Sequence, residues 1–231
     1  MSLIDFKAFI INWPSQFERV KRTEKEILKI AGNCTVINAD PNKTMEGWID
    51  ANYGYGCQTK LIFDLFLKSD SEGLFILTGD ATSEYWAEIF ESAKKTREEL
   101  NWGIFIPFID TSFWNNKILS SINDDLRRMK NSDGVCWFIS KDVLEYYLKN
   151  CSSAFEGNSL GWGIDIAMSA SARFLKRDVI QDRRYIVSHP KGCGYDRSEA
   201  IRQSMNSLKK LPKKYIEHEL RLRRRSLKLA P

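Results

Sequence analysis

At 231 residues with 43% hydrophobic side chains, the chain has enough apolar mass to bury the core of one large domain or two small ones, which excludes a disordered polymer. Thirty-five Lys and Arg against 30 Asp and Glu leave a formal charge of +5, an excess concentrated in the last stretch and suited to anionic partners such as nucleoside diphosphates, lipid headgroups or nucleic acid. Cys34, Cys57, Cys136, Cys151 and Cys193 are scattered without zinc-ligand spacing, and neither a spanning apolar run nor a signal-peptide pattern is present, so a disulfide framework and a zinc site are not expected and the expected location is cytoplasmic.

Taken in order, apolar runs of strand length alternate with helical patterns. Residues 7–11, 34–38 and 74–77 read as strands, and 17–30 and 58–67 as helices. Such alternation implies right-handed βαβ units on a mainly parallel sheet, in which ligands collect beyond the carboxyl ends of the strands. Asn12, Trp13, Asp40 and Asp80 follow those strands and become candidates for that reason. Further along, 84–100 reads as a helix, 103–109 as a strand, 116–130 as a helix, 134–139 as a strand and 142–149 as a helix. A glycine-rich loop at 157–163 opens a helix with Ile164, Ala167, Met168 and Ala172 on one face. Residues 179–187 read as a strand or hairpin ending at Ser188-His189-Pro190. Composition turns basic beyond Ser204, which sets an expected division into a 1–204 α/β domain and a 205–231 basic amphipathic helical tail.

Three segments carry the sharpest chemistry: Ser132-Asp133-Gly134-Val135-Cys136-Trp137-Phe138-Ile139, then Leu160-Gly161-Trp162-Gly163-Ile164-Asp165, then His189-Pro190-Lys191-Gly192-Cys193-Gly194-Tyr195. In this order they resemble the second half of family-two glycosyltransferases of the GT-A fold, and the alternating first half is compatible with that family's nucleotide-binding half. The resemblance covers roughly residues 7 to 200. It implies an α/β protein with a mixed, mainly parallel sheet flanked by helices. The activity it implies is inverting transfer of a sugar from a nucleoside diphosphate donor, expected to be UDP-linked, to a saccharide or lipid-linked acceptor in polysaccharide or glycoconjugate synthesis.

By the same resemblance, Asp165 is the catalytic base, Asp40 lies near the uracil or ribose, and Asn12 and Trp13 line the nucleotide pocket. An acceptor hydroxyl needs a carboxylate to take its proton, which gives Asp165 a chemical reason; a helix-capping role is the alternative. Trp162, Gly163 and Ile164 are expected at the substrate, since an indole packs on a sugar face and glycine permits close approach. The aromatic segments Trp48 to Tyr55, with Asp50 and Asn52, and Phe108 to Trp114, with Asp110, are candidates for sugar subsites for the same reason, with core packing the stronger expectation for each ring. The family's Asp-x-Asp metal motif is reduced here to Thr78-Gly79-Asp80-Ala81. Asp80 and His189 are therefore the expected ligands of a divalent Mn or Mg ion, completed by diphosphate oxygens and water, with Lys191 as a cation for the leaving diphosphate. Turn chemistry accounts for Asp40 and Asp80 as well, and His218, in a charged helix, reads as solvated. The tail alternates basic residues with Leu211, Tyr215, Ile216, Leu220 and others, a pattern suited to an anionic membrane surface or to a solvated helix. A non-catalytic nucleotide- or glycan-binding domain is the rival reading, and nucleic acid is not an expected partner because no binding module appears in the body.

Overall fold

Strand sequences such as FKAFIIN, GLFILT and CWFIS are apolar on both pleat faces, so they can lie only inside a sheet covered on both sides. The computed structural model describes residues 5–190 and 196–218. Its first half runs β1 (Phe6–Asn12), α1 (Phe17–Ala31), β2 (Thr35–Asn38), β3 (Ile49–Asp50), α2 (Tyr55–Phe66), β4 (Gly73–Thr78) and α3 (Trp86–Leu100). The second half runs β5 (Ile104–Ile109), β6 (Ile118–Ser121), β7 (Leu126–Met129), β8 (Cys136–Ser140), α4 (Lys141–Cys151), α5 (Ile164–Phe174), β9 (Val179–Val187) and α6 (Arg197–Lys210).

The strands form one nine-stranded mixed sheet in the order β3-β2-β1-β4-β8-β5-β9-β7-β6. β1, β2, β3 and β4 pair in parallel, as do β5 and β9, whereas β8 is inserted antiparallel between β4 and β5. Phe138 of β8 meets Phe75 of β4 and Phe105 of β5 in register. Its ring packs against Phe6, Phe75, Phe90 and Phe105 at centroid distances of 5.0, 4.7, 5.0 and 5.7 Å, so β8 seams the two halves through aromatic contacts. One core, including Val20, Ile27, Phe90 and Trp102, lies under α1 and α3. On the opposite face, Ile62, Phe63, Phe66, Leu144, Tyr147 and Met168 bring α2, α4 and α5 onto the sheet.

Residues 116–130, expected as a helix, instead form the antiparallel β6–β7 hairpin. Asn123 decides this locally: its Oδ1 accepts from Asp125 N at 2.9 Å and Leu126 N at 2.8 Å, closing a turn that competes with a helix. Residues 179–187 form a single strand, β9, with a register shift opposite Pro107 and Phe108.

The composition change at Ser204 falls inside α6, and residues beyond it reach the core. Leu211 and Tyr215 are buried, and the Tyr215 hydroxyl lies 2.9 Å from Ser171 Oγ. His218 accepts from Arg173 Nε at 2.8 Å, with its ring 5.1 Å from that of Phe174, rather than standing in solvent. Lys191 and residues 219–231 of the basic tail lie outside the described residues.

Candidate active site

Parallel strands deliver their C-terminal ends to one edge of the sheet, and the antiparallel β8 delivers its N-terminal approach to that same edge. A cavity of about 850 Å³ opens there. Trp13 after β1, Thr78 and Asp80 at the end of β4, Asp133 and Gly134 before β8, and His189 after β9 all line it. The glycine-rich loop and the start of α5 close another side with Leu160, Gly161, Trp162, Gly163, Asp165 and Ile166.

Asp165 stands in the first turn of α5, behind Gly163 at φ +92°. Trp114 Nε1 donates to its Oδ2 at 2.9 Å and the Ile166 amide to its Oδ1 at 2.9 Å, so both oxygens are held while the carboxylate keeps a face on the cavity. Burial pushes its pKa up, and the nearby Asp133 carboxylate adds to the rise; the bonds from Trp114 and Ile166 oppose both, leaving a value of about 7. A carboxylate poised near neutrality can both hold and release a proton at working pH.

Asp80 is set in the turn after β4, where a side chain on Gly79 would meet Val20 Cγ2 at 2.5 Å and Ile11 O at 2.6 Å, so the chain can pass there only as glycine. Its Oδ2 lies 3.4 Å from His189 Nε2, and its buried Oδ1 has no hydrogen-bond partner. Burial works to raise the Asp80 pKa, but the bond to and charge of His189, with help from Thr78, hold it below the usual range. Burial works to lower His189, and Asp80, Asp133 and Asp110 together raise it above its ordinary value. The His189 main chain is fixed by its amide donating to Asp110 Oδ1 at 3.0 Å and by Thr111 Oγ1 donating to its carbonyl at 3.3 Å.

The loop that presents Asp165 is fastened from beneath. Asn158, buried, donates to the Ala154 and Trp162 carbonyls at 3.2 and 3.1 Å and accepts from Gly161 N at 3.1 Å. A side chain on Gly161, at φ +75°, would meet Tyr55 Cδ1 at 2.6 Å and Gly56 N at 2.8 Å. The glycine thus serves a close approach between this loop and the start of α2. Tyr55 completes the joint by donating to the Gly134 carbonyl at 2.7 Å.

The cavity therefore joins Trp13, Asp80, Trp162, Gly163, Asp165 and His189. It does not reach three other candidates. Asn12 is buried and donates to Asn38 Oδ1 at 2.7 Å, and Asp40 is buried with its Oδ1 accepting from Asn42 N at 3.0 Å. Ile164 points into the core. Trp13 is held by its Nε1 donating to Gln58 Oε1 at 2.7 Å. The ends of the two aromatic segments, Tyr55 and Trp114, also line the cavity, and the structure adds Asp133 and Arg197. Asp133 escapes a search for polar residues after strands, because an antiparallel strand presents the residues before it.

The sheet order, with one antiparallel strand inside a parallel series, and the site at its carboxyl edge invite comparison with known structures. The chain is similar to GalNAc-T7 with UDP, GalNAc and Mn2+, at a TM-score of 0.64 and 10% identity over 90% of this chain and 48% of that one. The chain has a GT-A-like fold. It is also similar to mannose-1-phosphate geranyltransferase from Thermus thermophilus, with a TM-score of 0.50 and 12% identity over 80% of this chain and 76% of that one. The A197 protein from STIV gives a TM-score of 0.50 and 12% identity over 82% of this chain and 87% of that one. This chain spans about half the length of the GalNAc-T7 chain. No protein-family model matches the chain, and no curated protein matches its sequence. At these identities the likeness establishes the GT-A-like fold.

Proposed function

We propose that the chain is an inverting glycosyltransferase that moves a sugar from a nucleoside diphosphate donor, with UDP the expected nucleotide, to a hydroxyl of a saccharide or lipid-linked saccharide. The observation that carries this reading is one cavity containing both Asp165 and the Asp80–His189 pair. Its volume of about 850 Å³ is in the upper part of the range for small-molecule sites, enough for a nucleotide-sugar and an acceptor ring together.

Charge supports a divalent ion in this reading. Three carboxylates, Asp80, Asp133 and Asp165, line the cavity, and Arg197 and His189 are the cationic side chains among its described lining. A diphosphate entering alone would meet net repulsion. Asp80, with an unpartnered buried Oδ1, and His189, through Nε2, fit as holders of Mn or Mg, and the diphosphate and waters would supply the remaining ligands. The ion, when bound, supplies charge neutralisation for the departing diphosphate. Among the described residues no group of three or more His, Cys, Asp or Glu side chains could hold a metal without substrate. That observation favours a second reading, a nucleotide- or glycan-binding domain without turnover.

In the proposed reaction Asp165 accepts the proton of the acceptor hydroxyl as its oxygen forms a bond to the anomeric carbon. The bond from that carbon to the diphosphate oxygen breaks, its electron pair leaving with the nucleoside diphosphate. Approach opposite the leaving group inverts the centre. Polysaccharide or glycoconjugate synthesis at the cytoplasmic face of a membrane, with the basic tail on anionic lipid, is the setting proposed for this activity. No described helix is long and apolar enough to cross a membrane.

Calorimetry with UDP in manganese and in chelator tests the reading. Tight binding only with manganese, lost in Asp80→Ala, is expected; equal affinity in chelator would remove the metal assignment. Donor turnover in the presence of acceptor then separates the transferase from the binding-domain reading.

A further inference from the structure

The short turn Phe113–Asn116 has a composition that folding alone does not explain. Trp114 reaches Asp165 through its indole N–H at 2.9 Å, yet the preceding Phe113 is 72% exposed, more than any other large apolar side chain among the described residues. Leaving a phenyl ring in water forfeits the burial that would stabilise it, by about 25 cal/mol for each Å². Phe113 nevertheless lines the cavity.

Its ring is also oriented. Lys117 Nζ stands 5.4 Å from its centroid, and the Trp114 ring meets it edge-on at 5.1 Å and 77°. The turn is anchored at its base, where Ser112 Oγ accepts from Trp114 N at 3.2 Å and Asn115 Nδ2 donates to the Ile109 carbonyl at 2.7 Å. An exposed ring on an anchored turn is a preorganised platform. It sits one residue from the group that holds the proposed base.

We propose that Phe113 is the acceptor platform, packing against the apolar C–H face of a pyranose ring, while Trp114, a positioning residue, aims Asp165 at a hydroxyl of that same ring. This rests on the transferase reading and deepens it, since it commits the acceptor to a saccharide ring at this end of the cavity. A lipid-phosphate acceptor without a sugar would have no use for such a face.

The test uses the full chain as wild type, Phe113→Ala and Phe113→Trp. Methyl β-glycosides of glucose, galactose and N-acetylglucosamine are titrated by tryptophan fluorescence with and without UDP and manganese, and UDP–manganese affinity is measured separately by calorimetry. At least one glycoside is expected to bind wild type, with affinity falling tenfold or more in Phe113→Ala and returning to within threefold in Phe113→Trp. UDP affinity is expected to change by less than twofold. Because Phe113 is exposed, the variants should keep the wild-type melting temperature. The proposal is overturned if no glycoside binds wild type, if Phe113→Ala binds glycosides normally, or if it loses UDP affinity in parallel. Failure of the transferase reading looks different: wild type would then bind no UDP–manganese, or bind it without donor turnover in the presence of acceptor, whatever the glycosides do.

Discussion

Asp165 occupies a first helical turn, where the macrodipole ordinarily favours an ionised carboxylate, yet burial and the Asp133 charge push its pKa up to about 7. If Asp165 is the base it acts when ionised, so transfer rate should rise between about pH 6 and pH 8 and level off above. Asp133→Asn should move the midpoint to lower pH, and Trp114→Phe, which removes a bond favouring the ionised form, should move it higher. A pH–rate profile whose midpoint ignores both changes would separate Asp165 from the titration. Asp165→Asn should lower turnover by about 100- to 10,000-fold with donor affinity intact. Stability runs the other way. A carboxyl whose folded pKa lies above its ordinary value near 3.8 loses stability as pH rises from about 4 to 7 and no further beyond, because the folded state holds the proton longer than the unfolded chain. A full shift of this size corresponds to about 4 kcal/mol; with one face on solvent, about 1 to 2 kcal/mol is expected. Thermal melts of Asp165→Asn and wild type should therefore diverge with rising pH, the variant being the more stable at pH 8.

At the level of elements, β1, β4 and β8 were legible because apolar runs of strand length bounded by polar turns have few other uses, and α1 because Val20, Thr23 and Ile27 repeat on one face and Gly32, at φ +72°, ends it. The β6–β7 hairpin was not legible from periodicity, since Ile118, Ile122, Leu126 and Met129 fit a helical spacing, and the decision rests with the Asn123 turn and with pairing to β9, a contact distant in sequence. Site residues divided in the same way. Asp80, His189 and Asp165 stood at recognisable ends of elements and Trp114 in an aromatic segment after a strand, while Asp133 depended on which strand ran antiparallel. The basic composition after Ser204 concealed Leu211 and Tyr215 as core residues. Tyr215→Ala should accordingly cost about 3 kcal/mol, seen as a melting temperature lower by roughly 6–12 °C, and a chain ending at Pro212 should be less stable still. Truncation without loss of thermal stability would show the segment to be dispensable. Gly161→Ala, which forces a side chain into Tyr55 from a left-handed backbone position, should lower stability by about 1 to 3 kcal/mol and loosen the loop that carries Asp165.

For the whole molecule, ligand linkage provides a readout that needs no acceptor. UDP with manganese at about 100 times its dissociation constant should stabilise the fold by about 2.7 kcal/mol, and UDP in chelator by much less; equal shifts in the two conditions would count against a metal between protein and diphosphate. The central position of β8 has a consequence for how this chain is made. Strand β4 is complete by Thr78, yet its neighbour on one side is residues 136–140. While a ribosome adds the intervening residues at about 5 to 20 per second, the nascent β4 therefore presents an unpaired backbone edge flanked by largely apolar side chains for several seconds. Fragments ending before Cys136 should bind chaperones or aggregate instead of folding, and a synonymous change that slows translation between Thr78 and Cys136 should lower soluble yield while leaving the purified protein's stability untouched.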